Sequence, residues 1–158
     1  MQVRRTTRAD WPDVARLRVE WASEQAGVVL DDPLFEDAFH AWAEREEHQR
    51  VTWLARTDDG TAVGVLNLLV FTRMPKPVDP RRAEPLPTRW GYVANVYVDR
   101  AHRDRGTGRL LLDAALAHAE DEGYARLVLR PSERSVPFYE RAGFTPATSL
   151  MVRSVPSR

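Results

Sequence analysis

The sequence YVANVYVDRAHRDRGTGRLLLDAALAHAEDEG, residues 92–123, decides the fold that we expect for the rest of the chain. Residues 92–98 form an apolar run with β-branched and aromatic side chains, which predicts a strand. A basic turn with glycines at 106 and 108 follows, and apolar residues at helical spacing then predict a helix that ends near Gly123. This order predicts an anion site, because the first amides of a helix lack intrahelical acceptors and the helix dipole adds positive charge there.

The composition of the turn favours a phosphate or pyrophosphate. Glycine at 106 and 108 places no Cβ between the backbone and an anion, and it adopts positive φ at little cost. Arginines outnumber aspartates around the turn, so the local field is positive. The residues concerned are Arg100, Arg103, Arg105 and Arg109 against Asp99 and Asp104.

Two other interpretations of the turn stay open. A dinucleotide-binding fingerprint would need a third glycine at the position of Leu111, and an acidic residue where the next strand ends in Arg130. The other alternative is a basic turn that binds nothing.

Length and composition predict one soluble globular domain over residues 1–158. The chain has 43% hydrophobic and 29% charged residues, which is ordinary for such a domain. Its formal net charge is zero, which argues against binding to nucleic acid or an anionic membrane. It has no cysteine, which excludes disulfides and thiol nucleophiles, and no long apolar segment, so we expect a cytoplasmic location.

Two motifs make the chain resemble the GNAT superfamily of N-acetyltransferases. Residues 103–108, Arg-x-x-Gly-x-Gly after an apolar strand, are similar to the acyl-CoA-binding motif Arg/Gln-x-x-Gly-x-Gly/Ala of that family. Residues 138–144, Phe-Tyr-x-x-x-Gly-Phe, resemble its second signature. Since both occur in the family's order and spacing, the resemblance implies an acyl-CoA-dependent N-acetyltransferase.

The predicted elements follow the order of the GNAT fold over nearly the whole chain. The expected class is α/β (α+β): a mixed central sheet of about six to seven strands with helices on both faces. The resemblance implies that this sheet is split between strands 4 and 5. Strands are predicted at 3–5, 50–56, 61–71, 92–98, 125–130 and 144–152, and helices at 11–25, 32–47, from the turn to 123, and at 131–142. Thr7 and Asp10 match the capping-box pattern before the first helix, and Gly27 is expected to end that helix. Five prolines in residues 74–88 predict a long flexible loop that either edges the acceptor site or is a plain insertion.

The resemblance also implies where acetyl-CoA binds. The backbone of residues 95–98 is expected to pair with the pantetheine arm like an added strand, and the amides of residues 103–108 to hold the pyrophosphate. Ser132 stands where the family often has an asparagine that helps to hold the cofactor. The expected cofactor-binding residues are Val96, Tyr97, Val98, Arg103, Asp104, Arg105, Gly106, Thr107, Gly108, Arg109, Ser132 and Tyr139.

The implied reaction is direct attack of a neutral amine on the thioester through a tetrahedral intermediate. Tyr139 matches the family tyrosine that acts as general acid to the CoA thiolate, and a phenol with a reference pKa near 10 is still a proton donor at neutral pH. Many members place a glutamate on the fourth strand, where this chain has Asn95, which can position the acceptor or a water but cannot take a proton. The base stays open among Glu20, Glu24, Asp31, Asp32 and ordered water.

The expected partner is a small-molecule primary amine, with peptide or protein acceptors as alternatives. We expect no metal, no nucleic acid and no membrane, and the resembled enzymes are often homodimers. Because the strand carboxylate is missing, a second function stays open. It is a catalytically weak GNAT-fold module that binds acyl-CoA or a protein partner in a regulatory role.

Overall fold

A computed structural model describes residues 1–75, 77, 81, 88–148 and 151. In these residues five strands form one mixed sheet in sequence order. They are β1 (Gln2–Arg5), β2 (Arg50–Arg56), β3 (Ala62–Thr72), β4 (Arg89–Val98) and β5 (Arg126–Leu129). The first four run antiparallel to their neighbours, whereas β5 lies parallel to β4.

The described residues form four α-helices, and the sheet carries helices on both of its faces. They are α1 (Trp11–Ala26), α2 (Phe35–Glu46), α3 (Thr107–Asp121) and α4 (Val136–Glu140). Leu111, Leu112 and Ala115 of α3 are buried against one face, whereas Leu17 of α1 is buried with Tyr97 against the other. The apolar stripe predicted for α3 is therefore the surface that packs on the sheet. None of the described helices is long and apolar enough to cross a membrane.

The start and end of α1 follow the signals in the sequence. Thr7 and Asp10 form the predicted capping box, in which each side chain meets the backbone N–H of the other residue. Gly27 ends the helix with a φ of 70°. Asp10 also binds Arg4 and Arg56, so one buried carboxylate joins the start of α1 to β1 and β2.

The strand count is lower than the six to seven that the sequence patterns predict. Residues 144–148 form no strand, and 149, 150 and 152 lie outside the described residues. One reason is local: the amide of Phe144 donates to the carbonyl of Tyr139 at 3.1 Å, and Pro146 has no N–H to offer a sheet. The last helix is also shorter than expected, because residues 133–135 form a 3₁₀ turn before α4. Most of the predicted 74–88 loop likewise lies outside the described residues, so that loop stays a prediction.

The split predicted between the fourth and fifth strands is present. β5 pairs with β4 only along Trp90–Val93. At that point the register between β3 and β4 shifts, with Asn67 opposite Asn95 but Leu68 opposite Val93, so that Ala94 is the extra residue of a bulge. Residues 95–98 therefore pair with β3 on one side and with no described strand on the other.

Candidate active site

The turn before α3 presents a cluster of unpaired backbone amides. Asp104 and Gly106 have positive φ values of 58° and 85°, which fold the turn back on itself. Within the described chain, no N–H of residues 104–109 donates to a protein acceptor, and the first helical bond runs from Leu110 to the Gly106 carbonyl at 3.0 Å. These free donors lie at the N-terminus of a 15-residue helix, which is an arrangement that suits an anion.

Arg103 of this turn has a carboxylate partner that the sequence analysis did not foresee. Its Nη1 and Nη2 donate to the two oxygens of Glu24 at 2.8 and 2.5 Å, and its Nε donates to the Val98 carbonyl at 2.8 Å. Both side chains are about four-fifths buried. The guanidinium therefore fixes the turn to α1 and to the end of β4, and its charge is largely neutralised.

The other arginines of the turn differ in how far they are paired. Arg109 donates to Asp113 at 2.7 Å and to the Arg141 carbonyl at 3.2 Å. Arg100 lies 3.6 Å from Glu24. Arg105 is exposed and has no side-chain partner among the described residues, so its charge is the one that an incoming anion meets without competition.

None of the four carboxylates considered as a base is placed to receive a proton in the cavity described below. Hydrogen bonds from Arg103 lower the pKa of Glu24, so Glu24 stays an ionised carboxylate paired with that arginine. Glu20 binds Arg16 at 2.5 Å, and Asp32 accepts the Leu34 amide at 3.0 Å in the turn before α2. Neither these nor Asp31 line the cavity.

The two sequence motifs meet in space at the start of α3. A Cβ on Gly108 would lie 3.7 Å from the ring of Phe138 and 3.8 Å from Val98, which is ordinary van der Waals contact. Gly108 is therefore a point where α3, α4 and the open end of β4 come together. This spacing also explains why the motif accepts alanine at the position of Gly108.

Tyr139 packs beside this junction on the α3 face of the sheet. Its ring lies edge-on to Phe138 and Phe144, with centroids 4.9 and 5.8 Å away. Burial raises the pKa of its phenol, so the group is protonated at neutral pH. Its hydroxyl has no hydrogen-bond partner among the described residues. Ser132, by contrast, is exposed and donates to the Ser135 hydroxyl at 3.0 Å.

The residues expected to line the pantetheine arm alternate between the two faces. Val96 and Val98 pack towards the core under α3, whereas Tyr97 is buried under α1. Asn95 lies on the same face as Tyr97 and borders a cavity of about 570 Å³ between the sheet, α1 and α2.

The floor of this cavity is a row of polar side chains across three strands. Thr52, Asn67 and Asn95 lie opposite one another in register. Asn67 is fixed, since its amide nitrogen donates to Thr52 at 2.8 Å and its oxygen accepts from Arg50 at 2.7 Å. The Asn95 amide has no such partner among the described residues and is free to bind a ligand or water.

The walls of the cavity are aromatic, which the sequence analysis treated only as helix faces. The residues are Trp11, Trp21, Phe35, Phe39 and Trp42. Their helical spacing was the available signal, but spacing alone does not separate a core surface from a cavity wall. Arg18 also borders the cavity, 4.1 Å from the centroid of the Trp21 ring. It keeps solvent exposure, yet desolvation by its neighbours lowers the pKa of its guanidinium.

Comparison with known proteins identifies the family. The sequence profile of the acetyltransferase (GNAT) family matches residues 11–144. A GCN5-related N-acetyltransferase from Ralstonia eutropha JMP134 has 28% identity and a TM-score of 0.72, with 97% of each chain covered. A predicted acetyltransferase from Clostridium acetobutylicum, solved with acetyl-CoA, has a TM-score of 0.74 at 15% identity, covering 97% of this chain and 95% of that one.

Among the similar proteins whose names specify an acceptor, one aligns over only part of this chain. Glucosamine 6-phosphate N-acetyltransferase from Trypanosoma brucei brucei is 35% identical over 54 residues. The aligned part is 34% of this chain and 37% of that protein, so this chain spans about a third of the relative's length. The family match, by contrast, extends over both motifs and over the split between β4 and β5. The chain therefore belongs to the acetyltransferase (GNAT) family of N-acetyltransferases.

Proposed function

We propose that this chain transfers an acetyl group from acetyl-CoA to a primary amine of a small molecule. One observation carries the proposal: the unpaired edge of β4 at 95–98 runs from the free amides before α3 to a cavity that reaches Asn95. A donor that binds along this edge would present its thioester where the cavity meets the sheet.

The residues present fit acetyl-CoA as the donor. The amides of 104–109 need an acceptor, and a pyrophosphate supplies several. The backbone of 95–98 has room for an extended partner, as in β-strand addition. The similar protein from Clostridium acetobutylicum was solved with acetyl-CoA, which agrees with this choice of donor.

Acetyl transfer at the gap, the split between β4 and β5 beside residues 95–98, needs groups from both faces of the sheet. The cavity with Asn95 lies on the α1 and α2 face, whereas Tyr139 lies on the α3 face. Beyond Val93, β5 no longer pairs with β4, so a thioester bound along this edge would be reached by groups from either face. An amine that enters through the cavity would attack the thioester carbon, forming a C–N bond. Collapse of the tetrahedral intermediate breaks the C–S bond, and Tyr139 would give its proton to the departing thiolate.

Removal of the ammonium proton falls to water in this proposal. Asn95 cannot accept a proton, and the carboxylates considered as bases are paired or lie away from the cavity. The free Asn95 amide would orient the amine or the water that deprotonates it. The same missing base favours the second candidate, a catalytically weak module that binds acyl-CoA in a regulatory role.

Thiol release from acetyl-CoA in the presence of primary amines separates the two candidates. For the enzyme, we expect turnover with at least one small amine. Tyr139→Phe should lower kcat about 100-fold while acetyl-CoA affinity is kept, because the phenyl ring fills the same space but cannot donate a proton. Tyr124→Phe is the matched control, since Tyr124 is also half-buried but binds His118 away from the gap. Wild-type kcat in Tyr139→Phe would remove its role as acid, and absence of any turnover would favour the regulatory module.

A further inference from the structure

The charges of the side chains that border the cavity do not balance, and one positive charge is left without a partner in the described part of the chain. Its two glutamates are already engaged: Glu47 binds Arg8 at 2.5 Å, and Glu46 lies 3.4 Å from Arg50. Arg50 is held further by its bond to Asn67. The remaining guanidinium on this face is that of Arg18, which has no carboxylate partner among the described residues.

One other arginine borders the cavity, but its side chain belongs to the opposite face of the sheet. Arg5 follows Arg4 on β1, and Arg4 binds Asp10 beneath α1. Because successive side chains of a strand alternate, Arg5 points towards α3, where its charge acts on His118. Arg18 is therefore the one uncompensated charge that faces the acceptor cavity within the described chain.

The aromatic walls do not form a cage for a cationic ligand, because their tryptophans already carry arginines. Arg8 lies over Trp11 at 5.3 Å, Arg18 over Trp21 at 4.1 Å, and Arg50 over Trp42 at 4.9 Å. Because Arg18 has no carboxylate partner among the described residues, a second cation placed beside Trp21 would meet its uncompensated charge. The cavity therefore opposes an acceptor that carries positive charge beyond its reactive amine.

We infer that the acceptor carries an anionic group, a carboxylate or a phosphate, which the unpaired guanidinium of Arg18 binds while the amine reaches Asn95. This inference rests on the proposed function and names the class of its acceptor. Arg18 is suited to the role because its guanidinium carbon lies 4.1 Å from the centroid of the Trp21 ring, a contact that restrains the side chain. Its planar fork matches either group through two parallel hydrogen bonds. Glu46 and Glu47 do not compete for it, since each is held by another arginine.

Matched amines that differ only in the acidic group test this inference. The pairs are phenylalanine with 2-phenylethylamine, leucine with 3-methylbutylamine, and glucosamine 6-phosphate with glucosamine. The first two pairs detect a carboxylate and the third detects a phosphate. For each amine we would measure kcat/KM by thiol release and binding by thermal shift, in wild type, Arg18→Gln and Arg18→Lys. Arg126→Gln is the control, because Arg126 also lies over a tryptophan, Trp90 at 5.3 Å, but outside the cavity.

The inference predicts that in at least one pair the acidic member has the higher kcat/KM, by about 10- to 100-fold. Arg18→Gln should abolish that preference, Arg18→Lys should keep part of it, and Arg126→Gln should keep all of it. Equal or better use of the acid-free members would overturn the inference, as would a preference that survives in Arg18→Gln. Binding of acetyl-CoA without binding or turnover of any acidic amine would also overturn it. Failure to bind acetyl-CoA would instead refute the proposed function itself, and the inference with it.

Discussion

The ion pair between Glu24 and Arg103 connects α1 to the turn that presents the free amides. We expect Glu24→Gln to lower both the stability of the fold and the affinity for acetyl-CoA. The glutamine keeps the shape of the side chain, but its single amide oxygen can accept only one of the two hydrogen bonds, at 2.8 and 2.5 Å, that Arg103 donates to Glu24. Its amide nitrogen is itself a donor and cannot accept the other, and the negative charge opposite the guanidinium is lost. Arg103 would keep its bond to the Val98 carbonyl, so the turn would loosen rather than unfold.

The size of the effect follows from the burial of the pair. The two side chains are 22% and 21% exposed, which places them between a surface pair and a fully buried one. We therefore expect a loss of about 1.5 kcal/mol in the free energy of unfolding, between the values typical of those two classes. For a chain of this size, that loss lowers Tm by about 3–6 °C. If about half of this free energy is also lost from the binding of acetyl-CoA at the turn, the Kd for acetyl-CoA rises about three- to fourfold.

The sign of the change in affinity tests the role of Arg103. Thermal unfolding and calorimetric titration with acetyl-CoA would be compared in wild type, Glu24→Gln and Glu122→Gln. Glu122 pairs with Arg89 at 2.5 Å with both side chains nearly half exposed, so its loss should change stability by less than about 0.5 kcal/mol. If Arg103 bound a phosphate directly, Glu24→Gln would remove the carboxylate that competes with the phosphate for the guanidinium, and acetyl-CoA binding would tighten. Tighter binding in Glu24→Gln, or an unchanged Tm, would refute the positioning role.

Three further predictions concern stability. Gly106→Ala should lose about 1 kcal/mol because an L-residue is strained at φ 85°, whereas Gly108→Ala should unfold like wild type because its Cβ fits; equal Tm values would contradict this. Gly91→Ala should lose about 1–3 kcal/mol, since the new Cβ would lie 2.5 Å from Leu127 across the β4–β5 pair; a wild-type urea midpoint would contradict this. Burial lowers the pKa of His118, so the unfolded state takes up its proton first and stability should fall as the pH drops below about 6.5. His118→Gln should flatten the curve in that range, and an unchanged curve would assign the dependence to another group.

The parts of the fold that the sequence predicted are those set by local chemistry. The Thr7–Asp10 capping box and the stop at Gly27 depend on neighbouring residues, so their signals are complete within a few positions. The buried face of α3 could be predicted for the same reason, because the spacing of its apolar residues follows the period of the helix itself. The split in the sheet was expected from the resemblance of the two motifs to a known family, and not from any local pattern.

The features that the sequence analysis missed depend on residues far apart in the chain. Glu24 and Arg103 are 79 positions apart, and no spacing rule joins them. The cavity walls come from α1 and α2, whose relative placement decides whether Trp21 and Trp42 face a core or a cavity. A final strand was predicted over 144–152, but the Phe144 amide donates to the Tyr139 carbonyl and residues 144–148 form no strand.

The central claim is that acetyl-CoA binds along the open edge of β4 and at the turn before α3. Calorimetric titration of the purified protein with acetyl-CoA tests it most directly, with free CoA and NADH as controls. The account predicts micromolar binding of acetyl-CoA, binding of CoA by the same turn, no binding of NADH, and loss of both CoA ligands in Gly106→Glu. Absence of binding by either CoA species, or undiminished binding in Gly106→Glu, would contradict it.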